Sequence, residues 1–222
     1  KKDNFTVFPN VPDLSQSDSR QGVARGISRD NTLTVVLYFG VVAERRGVFD
    51  VLEVFEKLAR ENHPSRFLVI GPVDKADRQR FFKTIDSENL DNIVYYIPWI
   101  DVSELMAYLD ISDICIAPFH KNPQHESGVA NKIYDYMLGK KPLIVSDCKP
   151  QKTLVEKYNC GLVYSGKDEM KSAIVKLSAD PGMRKEMGEN GYKAIIRHFN
   201  MNVVKGDLTG LYDEIHSGLN KP

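Results

Sequence analysis

The 222 residues carry 42% hydrophobic and 27% charged side chains, the balance of an ordinary soluble globular protein long enough for one large or two small domains. Lys and Arg together number 30, as do Asp and Glu, so no net charge draws the chain to nucleic acid or to an anionic membrane surface. Three cysteines (Cys115, Cys148 and Cys160), an odd number with no CxxC pair, argue against a disulfide framework and a zinc site, and leave inert core thiols as the expectation. No apolar run approaches the roughly 20 residues of a membrane span, and no secretory signal pattern is present. A reducing, cytoplasmic setting is expected. The chain starts Lys1-Lys2 without Met, which reads as a fragment or a processed chain.

Residues 1–30 are polar, with a Pro9-Asn10-Val11-Pro12-Asp13 turn cluster, and read as a linker or approach segment. The texture changes at Asn31. Leu33 to Phe39 is a β-rich apolar run ending at Gly40 and reads as a buried strand. Gly47 opens a helix with Val48, Val51, Leu52, Phe55 and Leu58 on one face. Arg66–Gly71 is the second strand, Ala76–Glu88 a polar helix, and Asn92–Ile97 the third strand, stopped by Pro98. Asp101-Val102-Ser103-Glu104 has capping-box spacing and starts a short helix.

Asp113–Pro118 is the fourth strand. The polar loop His120–His125 carries it into a helix expected to begin near Ser127. Pro142–Ser146 and Gly161–Tyr164 are the fifth and sixth strands, separated by a helix over Gln151–Tyr158. Helices over Asp168–Ser178, Pro181–His198 and Val203–Ile215 complete the chain, with Pro181 in a first turn where its missing N–H has no partner to lose. Strands alternating with helices predict an α/β, Rossmann-like, doubly wound six-stranded parallel sheet with helices on both faces. The expected division is a linker over 1–30, a ligand-binding domain over 31–200 and a C-terminal helix over 201–222. Ligands of such sheets bind outside the strands' carboxyl ends at the topological switch point. That singles out the loops after Phe39, Ile70, Ile97 and Phe119.

The first of these loops, Gly40 to Gly47, lacks the Gly-x-Gly-x-x-Gly and Walker patterns. It offers Arg45 and Arg46 beside a helix N-terminus, where a phosphate would be favoured; a solvated surface pair with Glu44 or Glu53 is the alternative. In the last loop, Glu126 is followed by Lys132 and Asp135, three apart and so near each other on a helix surface. A diol-binding carboxylate with a phosphate-binding lysine fits a nucleotide sugar, and a local ion pair of little energetic weight is the alternative. His120 and His125 lack a third metal ligand, and no Gly-x-Ser-x-Gly elbow supports a serine relay. Trp99, followed by Ile100, stands where it would stack on a base or cover the sheet edge.

Several stretches together resemble the donor half of a GT-B glycosyltransferase. They are Tyr38-Phe39-Gly40 with Arg46-Gly47-Val48, then Phe67–Gly71, Ser112–Pro118, Glu126-Ser127-Gly128 with Lys132–Met137, Gly139–Asp147, Cys160–Tyr164 and Met187–Gly191. Val7–Asn10 resembles the strand leading in from the acceptor domain. The pattern is most similar to glycosyltransferase family 4 (glycosyl transferases group 1), retaining enzymes with nucleotide-sugar donors.

The resemblance implies a hexosyltransferase that needs no metal or other cofactor, with a nucleotide sugar as its substrate. It places Arg46 and Lys132 on the donor diphosphate and Glu126 on the donor sugar. Backbone N–H groups of Ser127, Gly128 and Val129 would meet the phosphate, Asp135 the ribose hydroxyls, and Gly40, Arg45, Trp99 and Ile100 the nucleotide. It also implies a role in surface-polysaccharide synthesis and an amino-terminal acceptor domain outside this chain, through which the whole enzyme would associate peripherally with a membrane. The chain alone is then expected to bind nucleotide and transfer sugar poorly.

Three departures stand out: Glu126 and Asp135 lie nine positions apart, one more than the family's usual spacing. The second acid is Asp rather than Glu, and Val41 replaces a frequent arginine. A nucleotide-binding module without transferase activity and a GT-B nucleotide-sugar epimerase are the alternatives.

Overall fold

The computed structural model describes residues 11–12, 14, 30–87 and 90–219, with side chains to residue 216. The linker read over 1–30 and the Val7–Asn10 strand lie almost wholly outside the described residues. Six strands, β1 (Thr34–Phe39), β2 (Ser65–Ile70), β3 (Val94–Ile97), β4 (Ile114–Ala117), β5 (Leu143–Ser146) and β6 (Gly161–Tyr164), form one sheet. Every pairing is parallel and the order is β3-β2-β1-β4-β5-β6. The expected doubly wound α/β architecture is what forms.

The strands are apolar throughout because both faces of the sheet are covered. Along β1, Val35 and Leu37 enter one core while Val36 and Tyr38 enter the other, as a period of two requires. One face carries α1 (Val48–Arg60), α2 (Arg78–Ser87) and α7 (Lys167–Ala179). Phe55 of α1 stacks on Phe67 of β2 at 5.0 Å in that layer. The other face carries α3 (Leu105–Asp110), α5 (Asn131–Leu138), α6 (Lys149–Tyr158) and α8 (Pro181–His198). Asp101 caps the turn before α3 by accepting from the Ser103 N–H at 2.9 Å, as the capping spacing anticipates.

The helix expected near Ser127 forms differently. Asn122 accepts from the His125 N–H at 2.9 Å and Pro123 occupies a first turn, so a one-turn helix, α4 (Pro123–Glu126), stands alone. The 127–130 segment then crosses to α5, which starts at Asn131. The last helix, α9 (Met201–Leu219), runs longer than the Val203–Ile215 reading, and its Met201 N–H donates to the Pro12 carbonyl at 3.3 Å. All three cysteines are free and buried; burial pushes the Cys115 thiol up and that of Cys160 up to about 12, so both are inert at neutral pH. Among the described residues, no helix is long and apolar enough to cross a membrane.

Candidate functional site

Crossovers leave β1 toward β2 and β3 on one side, and β4 toward β5 and β6 on the other. The crevice between the carboxyl ends of β1 and β4 is therefore the switch point of the sheet. Two glycines let its walls approach. Gly47 sits at φ 72°, and a Cβ there would stand 1.5 Å from the Pro118 carbonyl oxygen. Gly40, at φ 133°, is open to the Lys132 ammonium, which lies 2.8 Å from where its Cβ would be.

Lys132 is the unexpected feature. The sequence placed it on a helix surface, yet it is 8% exposed. Lys132 and Tyr136, four apart on α5, form a stripe aimed at β1: the Tyr136 hydroxyl accepts from the Phe39 N–H at 2.8 Å. The Lys132 Nζ lies 3.9 Å from the centre of the Tyr38 ring and 5.2 Å from that of Phe119. It has no hydrogen-bond partner among the described residues. Burial, and secondarily the Arg46 guanidinium, hold its pKa well below the ordinary lysine range. Arg46 is half-buried, and its Nε is likewise buried without a partner. Two cationic donors thus come together at one crevice, with nothing anionic among the described residues to meet the Lys132 Nζ or the Arg46 Nε.

Arg46 also walls a cleft of about 190 Å³ shared with Phe119, His125, the 127–130 segment and Gln151. His125 is buried, its ring 4.4 Å from that of Phe119 and its Nδ1 2.8 Å from the His120 carbonyl. Burial lowers its pKa, so it is neutral at pH 7. His120 turns away, its Nε2 2.8 Å from Asp50. Among the described residues, no group of three or more His, Cys, Asp or Glu side chains could hold a metal. A larger cleft of about 500 Å³ lies over the ends of β4 to β6, but its charges are matched. Lys121 meets Asp147 at 2.6 Å and Lys167 meets Asp50 and Glu53.

The other residues singled out from sequence are dispersed. Arg45 is exposed and paired with Asp74 at 3.2 Å, while Glu44 pairs with Arg80 and Glu53 with Lys167. Glu126 is exposed on α4, and its carboxylate accepts from the Lys149 N–H at 3.3 Å, at the start of α6. That carboxylate complements a helix N-terminus. The Ser127 N–H and hydroxyl both donate to the Gln124 carbonyl. The N–H groups of Gly128 and Val129 have no partner among the described residues. Trp99 is 69% exposed in the loop after the edge strand β3, two strands from the crevice, and Ile100 beside it is buried in the core.

Asp135 makes no ion pair with Lys132: the lysine ammonium is drawn in against the Tyr38 and Phe119 rings, while Asp135 stays partly exposed. Its carboxyl is partly buried without a charged partner, and desolvation raises its pKa from 3.8 to about 6. The folded chain therefore holds this proton more tightly than the unfolded chain does. The stability it contributes is complete below pH 4 and is lost as pH rises through 6. Asp135→Asn should leave stability unchanged near pH 4 and add about 1–2 kcal/mol at pH 7. Urea unfolding at the two pH values checks this, and an equal gain at both would refute it.

One signal could have pointed to Gln151, whose importance the sequence reading missed. It lies in the first turn of α6 and is 1% exposed, and neither its Nε2 nor its Oε1 has a partner among the described residues. A glutamine in a helix reads as an ordinary surface helix former; only its place just beyond a strand's carboxyl end marks it.

The family profile of glycosyl transferases group 1 matches residues 23–194. The chain is 25% identical over 183 residues to the alpha-D-kanosaminyltransferase of Streptomyces kanamyceticus, covering 82% of this chain and 46% of that protein. In structure it resembles the sucrose-phosphate synthase of Thermosynechococcus elongatus, with a TM-score of 0.76 at 20% identity, over 96% of this chain and 53% of that one. It also resembles the C-terminal domain of a glycosyl transferase group 1 family protein from Francisella tularensis, with a TM-score of 0.65 at 15% identity, over 87% of this chain and 96% of that one. The chain spans about half the length of the curated relatives it matches. With the profile covering well over half of its length, the chain belongs to the glycosyl transferases group 1 family and has the Rossmann-like half-fold of the GT-B type.

Proposed function

We propose that this chain is the donor-binding, C-terminal half of a retaining glycosyltransferase of the hexosyl type, working with a second domain that carries the acceptor. One observation carries the reading: the Lys132 ammonium and the Arg46 Nε are buried, unpaired and convergent at the switch point. Buried cationic donors without partners are costly to the fold, and an anion of matching charge relieves that cost. A nucleotide diphosphate is such an anion and fits a crevice at the strands' carboxyl ends.

In this reading Lys132, Arg46 and the free Gly128 and Val129 amides hold the diphosphate. They stabilise the charge that develops as the sugar–phosphate bond breaks, and they do so without a metal. Asp135 has no competing cation and accepts the ribose hydroxyls. Its raised pKa is consistent with a carboxylate that lacks hydrogen-bond donors until ligand arrives. The kanosaminyl transfer named for the Streptomyces relative supports transfer of a sugar as the class of reaction. Alone, the chain binds nucleotide weakly and transfers no sugar.

Ligand-observed NMR with UDP, GDP and ADP tests the reading, because it registers millimolar affinities. The wild-type chain should bind at least one of the three, and Arg46→Ala should weaken that binding about tenfold. Binding of none, or binding indifferent to Arg46, would remove the diphosphate site.

A further inference from the structure

We infer that the Gln151 carboxamide reads the donor sugar, selecting a neutral pyranose through a pair of its hydroxyl groups. The inference rests on the donor-binding reading and adds the specificity element that reading lacks. Gln151 is fully buried at the floor of the cleft of about 190 Å³, and both ends of its amide are unpaired. A buried polar atom without a partner is uncommon in folded proteins and needs an explanation. Here the donor and the acceptor of a single side chain are both without a partner among the described residues, in a residue that lines the cleft.

The chemistry of the group names its ligand. Oε1 can only accept and Nε2 can only donate, so adjacent hydroxyls satisfy the pair, one donating and its neighbour accepting. A neutral amide gives no advantage to a charged group, and the charge of the donor is already met by Arg46 and Lys132. Arg46 lines the same cleft, so a sugar in it would lie next to the diphosphate site. At about 190 Å³ the cleft is smaller than sites that enclose a whole drug-sized ligand, so it takes one ring and leaves the nucleoside outside. Both amide atoms are closed off from solvent, so a sugar reaches them only with a small shift of the cleft lining, in which Ser127 and Gly128 are exposed and a Cβ at Gly128 would meet nothing within 4 Å. Glu126, expected from the family resemblance to meet the sugar, accepts from the start of α6 instead, and among the polar side chains that line the cleft Gln151 is the one whose donor and acceptor both lack a partner among the described residues.

The test is the affinity ratio of nucleotide sugar to the matching nucleoside diphosphate, which a purely structural role would not change. Binding of UDP, GDP and ADP is compared with that of UDP-glucose, UDP-galactose, GDP-mannose and ADP-glucose, in the wild-type chain and in two variants. Gln151→Leu keeps the volume and removes both polar atoms; Gln151→Asn keeps the amide but withdraws it by one methylene. The wild type should prefer one nucleotide sugar to its diphosphate. Both variants should lose that preference by about tenfold while diphosphate binding changes by less than about twofold.

If Gln151→Leu fails to fold, Gln151→Asn decides alone. A preference retained in a folded variant overturns the assignment, as does equal weakening of sugar and diphosphate. A wild type that binds diphosphates but prefers no sugar overturns the Gln151 assignment and leaves the diphosphate site standing. A wild type that binds neither class removes both.

Discussion

Replacing Lys132 with methionine should raise the stability of the unliganded chain and weaken nucleoside diphosphate binding by about 30-fold or more. The two effects share one cause. The ammonium is 8% exposed, has no hydrogen-bond partner among the described residues, and faces the rings of Tyr38 and Phe119. Ring faces return only part of what a desolvated cation loses. Methionine fills a similar volume with no charge to bury, so about 1–3 kcal/mol of stability should be gained. The ligand, by contrast, loses a charge-assisted bond in a site with few other cations.

The same lysine makes stability depend on pH. Its folded pKa lies well below 10.5, so from that folded value up to about 10.5 the unfolded chain binds the additional proton. Wild-type stability should therefore rise with pH across that window, by as much as about 1.4 kcal/mol per pH unit from this group. Lys132→Met should lack that part of the rise. Phosphate binding reverses the balance by favouring the charged amine, so within that pH window binding should take up protons in the wild type and none from this position in the variant. Titration calorimetry in two buffers of different ionisation enthalpy reads the proton directly. A variant that is less stable than wild type and binds diphosphate equally well would show Lys132 to be a packing residue.

What could be read from sequence divides along local and long-range lines. The six strands stood out because a sheet covered on both faces needs uninterrupted apolar runs, and Leu33–Phe39 or Asp113–Pro118 permit little else. Right-handed crossovers narrow the possible strand orders, and the order that forms puts the switch point between β1 and β4. Arg46 and Lys132 were found because they flank that point.

Their condition was not visible. Nothing in the spacing of Lys132 and Asp135 tells which stripe of α5 faces β1; that depends on Tyr136 reaching the Phe39 amide 97 residues away. Glu126 was assigned by position, but its carboxylate reaches a backbone N–H 23 residues further along. The start of α5 was misplaced because Asn122-Pro123 initiates its own turn, a capping signal that a polar loop reading absorbed. Gln151 carried no mark beyond its place after a strand's carboxyl end. Its role emerges from what fails to pair with it.

Gly47→Ala should be among the most damaging single-methyl additions to this chain. The residue serves two elements at once: it ends the short 3₁₀ turn Glu44–Arg46 and precedes the first residue of α1, at φ 72°. An L-residue there carries a penalty of about 1 kcal/mol. The added carbon would also stand 1.5 Å from the Pro118 carbonyl oxygen and 2.7 Å from its carbonyl carbon. Neither is a flexible side chain, so the β1–α1 loop must lift off the end of β4. Overpacking of that kind adds about 1–3 kcal/mol.

A total near 3 kcal/mol corresponds to a fall in Tm of about 6–12 °C for a domain of this size. The displaced loop carries Arg46, so whatever protein remains folded should also bind diphosphate less well. Gly128→Ala is the matched control, since a Cβ there meets nothing within 4 Å and its stability should stay within about 0.5 kcal/mol of wild type. Equal melting temperatures for the two variants would mean that the loop and the end of β4 are not held together as described. The crevice at the switch point would then be wider than two cations converging on one anion require.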